Sequence, residues 1–436
     1  MATRAELLNA FLPSSSMDDP ARFSGRSKAV KELADALQVV GSVPLIYGQR
    51  GLGKSSLAAQ LSRIAQGDTE LLTELEAEER IIPEDGQFIT FYITCEDSTR
   101  NLRGLLQLMI NAVDGLKHER LKDEKRNEYR LVDKKTKKGV SLKIFKYESV
   151  KSYEMAVKDR DLSQLSPSEK LVALTETLTD VYQQPVLFVI DELDRLGGVG
   201  KLASFLKSNS SAILKFALVG IATTESELLK DHASLNRQLV AVKIGPMVKP
   251  ELESIVEQTE TYLAEAGLPY RFSSSATAEL ARLAAGFPWF VHIIGQRALI
   301  DASEEKHEEI GKSHVALAVK QLATRQMAQA YFDLYQRAVR DSAPREQVLR
   351  LFAKWPQEHI PTSELYPLAN ALGVGAPANY VGHLTQEQCG HVLARAPQQS
   401  RALYYFPDEM FKVYARIRPA LYEGVEEAVS RVYKNR

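Results

Sequence analysis

Residues 48–55 read Gly48-Gln49-Arg50-Gly51-Leu52-Gly53-Lys54-Ser55, which places glycines, a lysine and a serine at the spacing GxxxxGK[ST]. These residue types in this order suit the capture of a phosphate chain. Glycines lack a Cβ, so the backbone can curl until consecutive amides point at one β-phosphate. Lys54 then bridges the β- and γ-phosphates, and the Ser55 hydroxyl is a hard oxygen ligand for Mg²⁺. At ordinary residue frequencies a chain of this length contains such a string by chance about one or two times in a hundred. A second constellation supplies what the first lacks. The apolar run 186–190, Val-Leu-Phe-Val-Ile, is followed at once by Asp191-Glu192. A carboxylate at the end of a buried strand can hold the metal's water shell, which assigns Asp191 to Mg²⁺ beside Ser55. Glu192, just beyond the strand, is placed to polarise an attacking water. The implied chemistry is hydrolysis of ATP with Mg²⁺.

Strands must hold the loop and the acid in place. Short β-rich runs occur at 43–47, 88–94, 186–190, 216–222 and 240–244, and their lack of strict alternation suits a parallel sheet covered on both faces. Residues 56–65 carry a helical pattern, so the glycine-rich string lies between a strand and a helix, the context its chemistry needs. After Pro250 the pattern turns almost wholly helical, with breaks at Gly267-Leu268-Pro269 and Gly286-Phe287-Pro288. Farther on come helical patterns at 346–354, 363–372 and 378–386 and strand patterns at 392–396 and 401–406. That order spells a winged helix. The expected divisions are an N-terminal arm over 1–20, an α/β core over 21–248, a helical lid over 249–325 and a winged-helix domain with flanking helices over 326–436.

Composition narrows the partners. Lys plus Arg number 55 against 56 for Asp plus Glu, and 44% of the 436 residues are hydrophobic, which is an ordinary globular balance and excludes a polyanion-coating protein. Local charge departs from this between Lys117 and Asp161, with 15 Lys or Arg against 9 Asp or Glu. Within that stretch 129–133 and 140–147 flank Lys134, Lys135, Lys137 and Lys138, the pattern of a lysine-tipped hairpin inserted in the core, over about 117–161. It explains the long spacing between Ser55 and Asp191. Two scattered cysteines, Cys95 and Cys389, make no disulfide framework or zinc site. With no apolar run near membrane-spanning length, the expectation is a cytoplasmic protein without membrane contact.

The pairing of residues 48–55 with Asp191-Glu192-Leu193-Asp194-Arg195-Leu196 resembles that of AAA+ ATPases, in their origin-recognition-like and STAND branches. The resemblance implies an α/β fold, a P-loop NTPase (AAA+/ASCE) parallel-sheet core followed by the helical lid and the winged helix. It also assigns further residues. Phe23-Ser24-Gly25-Arg26 resembles the FxGR segment that packs near the base of the nucleotide, which implies Phe23, Gly25 and Arg26 in binding, with Ser56 beside the loop. Thr223 falls at the sensor position after the fourth strand. Arg237, just before the last core strand, matches the arginine finger that reaches a neighbouring subunit's nucleotide. Residues 285–290, Ala-Gly-Phe-Pro-Trp-Phe, resemble the GxP motif of STAND proteins, which places Pro288 near the nucleotide where origin-recognition-like members carry an arginine. Arg297, two turns later, does not fit that motif's spacing.

The expected function is an ATP-hydrolysing oligomeric switch, self-associating through ATP-bridged interfaces and recruiting a separate effector protein, as in prokaryotic defence or signalling. The alternative is a DNA-binding ATPase acting as a replication initiator or transposition regulator, gripping duplex through Lys134, Lys135, Lys137, Lys138, Arg395 and Arg401. Residues 355–394 contain Glu358, Glu364 and Glu387 but no Lys or Arg. The candidate recognition helix therefore offers Asn379, Tyr380, His383 and Gln386 with nothing cationic for phosphates, and cations return only at Arg395, Arg401, Lys412, Arg416 and Arg418. A threading unfoldase is excluded by the absence of an aromatic residue from 95–100, where a pore loop would lie.

Overall fold

The computed structural model describes residues 4–115, 164–196, 201–229, 235–322, 325–396 and 403–434, with isolated residues at 128–129, 145–146, 157 and 162. They form two compact units, one of Ser16–Gly245 and the other of Met1–Ser15 with Pro246–Arg436.

The first unit is built on five strands, β1 (Val43–Gly48), β2 (Ile89–Thr94), β3 (Val186–Asp191), β4 (Leu214–Ile221) and β5 (Leu239–Ile244). Their order is β2-β3-β4-β1-β5 and every neighbouring pair is parallel. This is the expected α/β parallel sheet of a P-loop NTPase core, with β4 inserted between the strand that leads into the glycine loop and the strand that ends in Asp191. Parallel strands bring their carboxyl ends to one edge. Gly48 is level with Ile221 and Ile244, and Thr94 is level with Asp191, so the loop and the acid share that edge. The central strands β1 and β3 are buried on both faces, as their continuous apolar runs require, while the edge strand β5 is mostly half-buried. Phe91, Phe188 and Phe216 stack across β2, β3 and β4 with ring centroids 5.1 and 6.1 Å apart. Each is fully buried, which stabilises the unit by about 2–3 kcal/mol per ring.

All five expected strands are present with shifted ends. β4 begins earlier, at Leu214, and stops at Ile221, where Ala222 leaves the ladder and donates its N–H to the Gly48 carbonyl at 3.3 Å. The helix after the loop begins at Lys54 rather than at 56 and runs to Ala65. In the basic stretch, Glu128–Tyr129 pairs antiparallel with Phe145–Lys146. The lysine tip, Lys134, Lys135, Lys137 and Lys138, lies outside the described residues.

In the second unit, helices Lys249–Glu265, Ser274–Ala284, Pro288–Glu304 and Lys312–Leu322 pack with Arg4–Ala10. The N-terminal stretch is thus a docked element rather than an arm. Phe11 lies so close over Gly295 that a Cβ there would stand 2.7 Å from the ring, and Gln296 Nε2 donates to the carbonyls of Leu8 and Phe11 at 2.7 and 3.2 Å. Farther along, Ala343–Lys354, Thr362–Ala371 and Pro377–Leu384 accompany a small antiparallel sheet in which Leu403–Tyr405 lies between Ile360–Pro361 and Ala394–Arg395. The strand at Ile360–Pro361 is too short to show in the sequence. Arg401 lies outside the described residues. Helices Glu409–Ile417 and Val425–Lys434 complete the unit. Among the described residues no helix is long and apolar enough to cross a membrane.

Candidate nucleotide site

The loop between β1 and helix Lys54–Ala65 is shaped by close approach. A Cβ on Gly48 would stand 2.3 Å from the carbonyl oxygen of Ile244 on β5, so only glycine permits that strand to pair there. Gly51 and Gly53 have φ of 74° and 86°, the left-handed conformation that side chains disfavour. Gly53 is the N-cap of the helix, and Lys54 and Ser55 are its first residues, which leaves the orphan amides of the first turn facing the loop. Behind the loop, Arg26 donates to the Leu52 carbonyl at 3.1 Å, Gly25 turns the chain with φ 71°, and Phe23 is buried. The Phe23-Gly25-Arg26 segment therefore braces the loop. Ser56 has its hydroxyl engaged by the Met17 N–H at 3.0 Å, and Gln60 donates to the Met17 carbonyl, so Ser56 anchors the preceding chain.

Lys54 is buried, and its Nζ folds back onto the carbonyl of Gln49 at 2.6 Å. Burial pushes its pKa down to about 8, opposed by the carboxylates of Asp191 and Asp194 and aided by Arg50. A buried ammonium with so little compensation is a site for an anion. The Gln49 side-chain oxygen is also buried there without a partner.

Asp191 closes the site. It is buried, its Oδ1 accepts the Glu192 N–H at 2.7 Å, and its Oδ2 accepts the Tyr92 hydroxyl at 2.6 Å. Each Asp191 oxygen keeps a lone pair for a metal-bound water, and the Ser55 hydroxyl lies in the first turn of the helix after the loop. This hard-oxygen set fits Mg²⁺. Glu192 adopts a left-handed φ of 55°, and its carboxylate pairs with Arg195 Nε at 2.8 Å. Burial raises the Glu192 pKa, with Arg195 pulling the other way. A partly buried carboxylate with a raised pKa is a stronger proton acceptor once Arg195 releases it. Asp194 accepts the Ile221 N–H at 2.7 Å and ties the turn after β3 to the end of β4.

Residues 40–226 match the AAA domain family model. The match spans the loop and Asp191-Glu192 and ends just after Thr224. No curated protein matches the chain. Its fold is similar to the ORC2 protein of Aeropyrum pernix in ADPNP-ADP complexes, at 16% identity over 94% of this chain and 93% of that one with a TM-score of 0.45. It is similar to the Aeropyrum pernix ORC1 protein in complex with DNA, at 15% identity, with the same coverage and a TM-score of 0.44. The Thermotoga maritima RuvB Holliday junction branch migration motor aligns at 16% identity over 92% of this chain and 97% of that one, with a TM-score of 0.40.

Within the matched segment Thr223 is exposed, and its N–H donates to Glu227 at 2.9 Å, while Thr224 is the N-cap of the short helix Glu225–Leu228. Both threonines thus serve a helix start, and Thr223 lies two residues past Ile221, the partner of Gly48. Beyond the matched segment, Arg237 is exposed in the turn before β5. Leu239 pairs with Val43, so Arg237 stands at the amino end of the strands and the loop at the carboxyl end. The length of β5 separates them by about 20 Å, beyond the reach of an arginine. Pro288 belongs to the other unit, where it is the buried first residue of helix Pro288–Glu304. Arg297 forms an ion pair with Asp301 in the same helix.

Two other clusters invite a metal. Glu305 Oε2, His307 Nδ1 and His314 Nε2 form a triangle of 3.2–3.3 Å edges, which no sequence spacing had suggested. His314 Nδ1 accepts the Gly311 N–H at 3.0 Å, so the ring proton sits on Nε2 and no lone pair remains there for a metal. The triangle is a hydrogen-bonded cap at the start of helix Lys312–Leu322. Near Cys389, the Arg345 guanidinium lies 4.0 Å from Sγ and 3.5 Å from His383 Nδ1, which gives those groups a cation for a neighbour.

The C-terminal cations differ from expectation. Lys412 is buried, donating to the Gln357 carbonyl at 2.9 Å and pairing with Glu409 at 3.5 Å. Arg418 is buried with its guanidinium 4.1 Å from the Tyr335 ring centroid. Arg395 is exposed, and its Nε donates to the Tyr404 hydroxyl at 3.2 Å. Lys412 and Arg418 hold the unit together and do not face a phosphate backbone.

Proposed function

We propose that the chain is an ATP-binding and ATP-hydrolysing AAA+ switch, in which nucleotide state governs association with further copies and recruitment of a separate effector protein. The observation that carries this reading is the convergence at one sheet edge of a buried lysine inside a glycine loop with the buried Asp191 carboxylate. The loop amides and Lys54 bind the β- and γ-phosphates, Ser55 and Asp191 hold Mg²⁺, and Glu192 takes the proton of the attacking water. Mg²⁺, when bound, neutralises charge on the phosphate oxygens. Before Glu192 acts, its carboxylate must leave Arg195, so the ion pair at 2.8 Å describes a resting site.

Arg237 cannot complete its own site across the length of β5, and this supports its role as a finger delivered to a neighbour, which makes hydrolysis depend on assembly. In the second unit we assign 249–325 as the lid and 326–436 as a winged helix that packs within the assembly. Pro288 at the start of a lid helix, with Arg297 held by Asp301, supports the STAND-like slow switch, as found in defence or signalling systems. The burial of Lys412 and Arg418 weighs against a DNA-gripping role for the winged helix.

The test is the solution mass of the Glu192→Gln protein with and without Mg·ATP, with and without duplex DNA. ATP-dependent assembly without DNA is expected. Assembly only on DNA would replace the switch by the initiator or transposition reading, and a mass indifferent to ATP would remove both.

A further inference from the structure

Tyr92 lies on β2, level with Val189 and two residues before Thr94, which is level with Asp191. Strand side chains alternate, so Tyr92 and Asp191 point to the same face of the sheet. The phenol is half-buried there, and its hydroxyl donates to Asp191 Oδ2 at 2.6 Å. A phenol has a single proton. That proton goes to Asp191 Oδ2.

We infer that Tyr92 is a positioning residue for the metal, orienting the Asp191 carboxylate that would hold Mg²⁺ through its water shell. This inference rests on the reading of residues 48–55 and Asp191 as an Mg·ATP site. By holding one Asp191 oxygen, as the Glu192 N–H holds the other, Tyr92 fixes the carboxylate's rotation. Groups that orient ligands in this way set metal affinity without touching the metal. Without the hydroxyl, a buried carboxylate oxygen loses its donor.

The test is binding of a fluorescent ADP analogue while Mg²⁺ is titrated, for the wild type, Tyr92→Phe and Tyr92→Met. Both substitutions keep an apolar side chain within the sheet, and thermal unfolding without metal checks that each variant folds. The expected result is a half-saturating Mg²⁺ concentration raised by about tenfold or more, with metal-free nucleotide affinity changed by less than about twofold. A purely structural tyrosine would lower thermal stability and leave the metal dependence in place. Wild-type binding that responds to Mg²⁺, with variants that respond at the same concentration or a lower one, overturns the role of Tyr92 alone. A wild type that binds no nucleotide at any Mg²⁺ concentration overturns the site reading beneath it.

Discussion

Nucleotide affinity should fall steeply above pH 8 because of Lys54. In the free protein, burial holds its pKa at about 8, and the charges around it, Asp191 and Asp194 against Arg50, do not restore the ordinary value. A bound polyphosphate places negative charge against the ammonium and returns the pKa toward the usual lysine range, about 10.4. Between those values the complex carries a proton that the free protein lacks, so binding takes up a proton and is weakened as pH rises. The neutral fraction of free Lys54 is about a tenth at pH 7, half at pH 8 and nine-tenths at pH 9. The dissociation constant should therefore rise by about tenfold from pH 7 to pH 9, with about half a proton taken up per nucleotide at pH 8. Titration calorimetry in two buffers of different ionisation enthalpy reads both quantities, in a range where the terminal phosphate, with its pKa near about 6, is already ionised. An affinity flat from pH 7 to pH 9, with no proton uptake, would refute the account of a desolvated Lys54 awaiting an anion.

Other substitutions separate shape from chemistry. Gly48→Ala places a methyl 2.3 Å from the Ile244 carbonyl. Overpacking against backbone should cost about 3 kcal/mol and lower the Tm by about 6–12 °C, read by calorimetry. Arg237→Ala should leave nucleotide affinity unchanged at concentrations where the protein is monomeric and lower turnover per assembled subunit by about 10³-fold or more. An unaltered rate would leave Arg237 as an ordinary surface residue.

What the sequence revealed depended on the distance over which each feature is encoded. Residues 48–55 are contiguous, and their glycine, lysine and serine types follow from local backbone shape, so the loop was legible in full. Asp191-Glu192 was legible because a buried strand and its terminal acid are also local. Tyr92 was not, since its meaning comes from β2 and β3 being neighbours in register, which no single strand records. The alternation of Tyr92 with the apolar Phe91 and Ile93 was the one available signal. Charge counting misplaced Lys412 and Arg418 because helix Glu409–Ile417 and the turn after it are buried by packing far along the chain, against Gln357 and Tyr335. The helix Arg4–Ala10 passed for an arm because what docks it, Gly295 and Gln296, lies nearly three hundred residues away.

The central claim, that residues 48–55 with Asp191 and Glu192 form a site that binds and hydrolyses ATP, is tested most directly by phosphate release from Mg·ATP beside nucleotide binding, in the wild type and in Glu192→Gln. The account predicts measurable release by the wild type, and in the variant a loss of about 10²-fold or more with binding retained. Equal turnover in the two proteins would remove Glu192 from the chemistry, and a wild type that neither binds nor hydrolyses ATP would contradict the account as a whole.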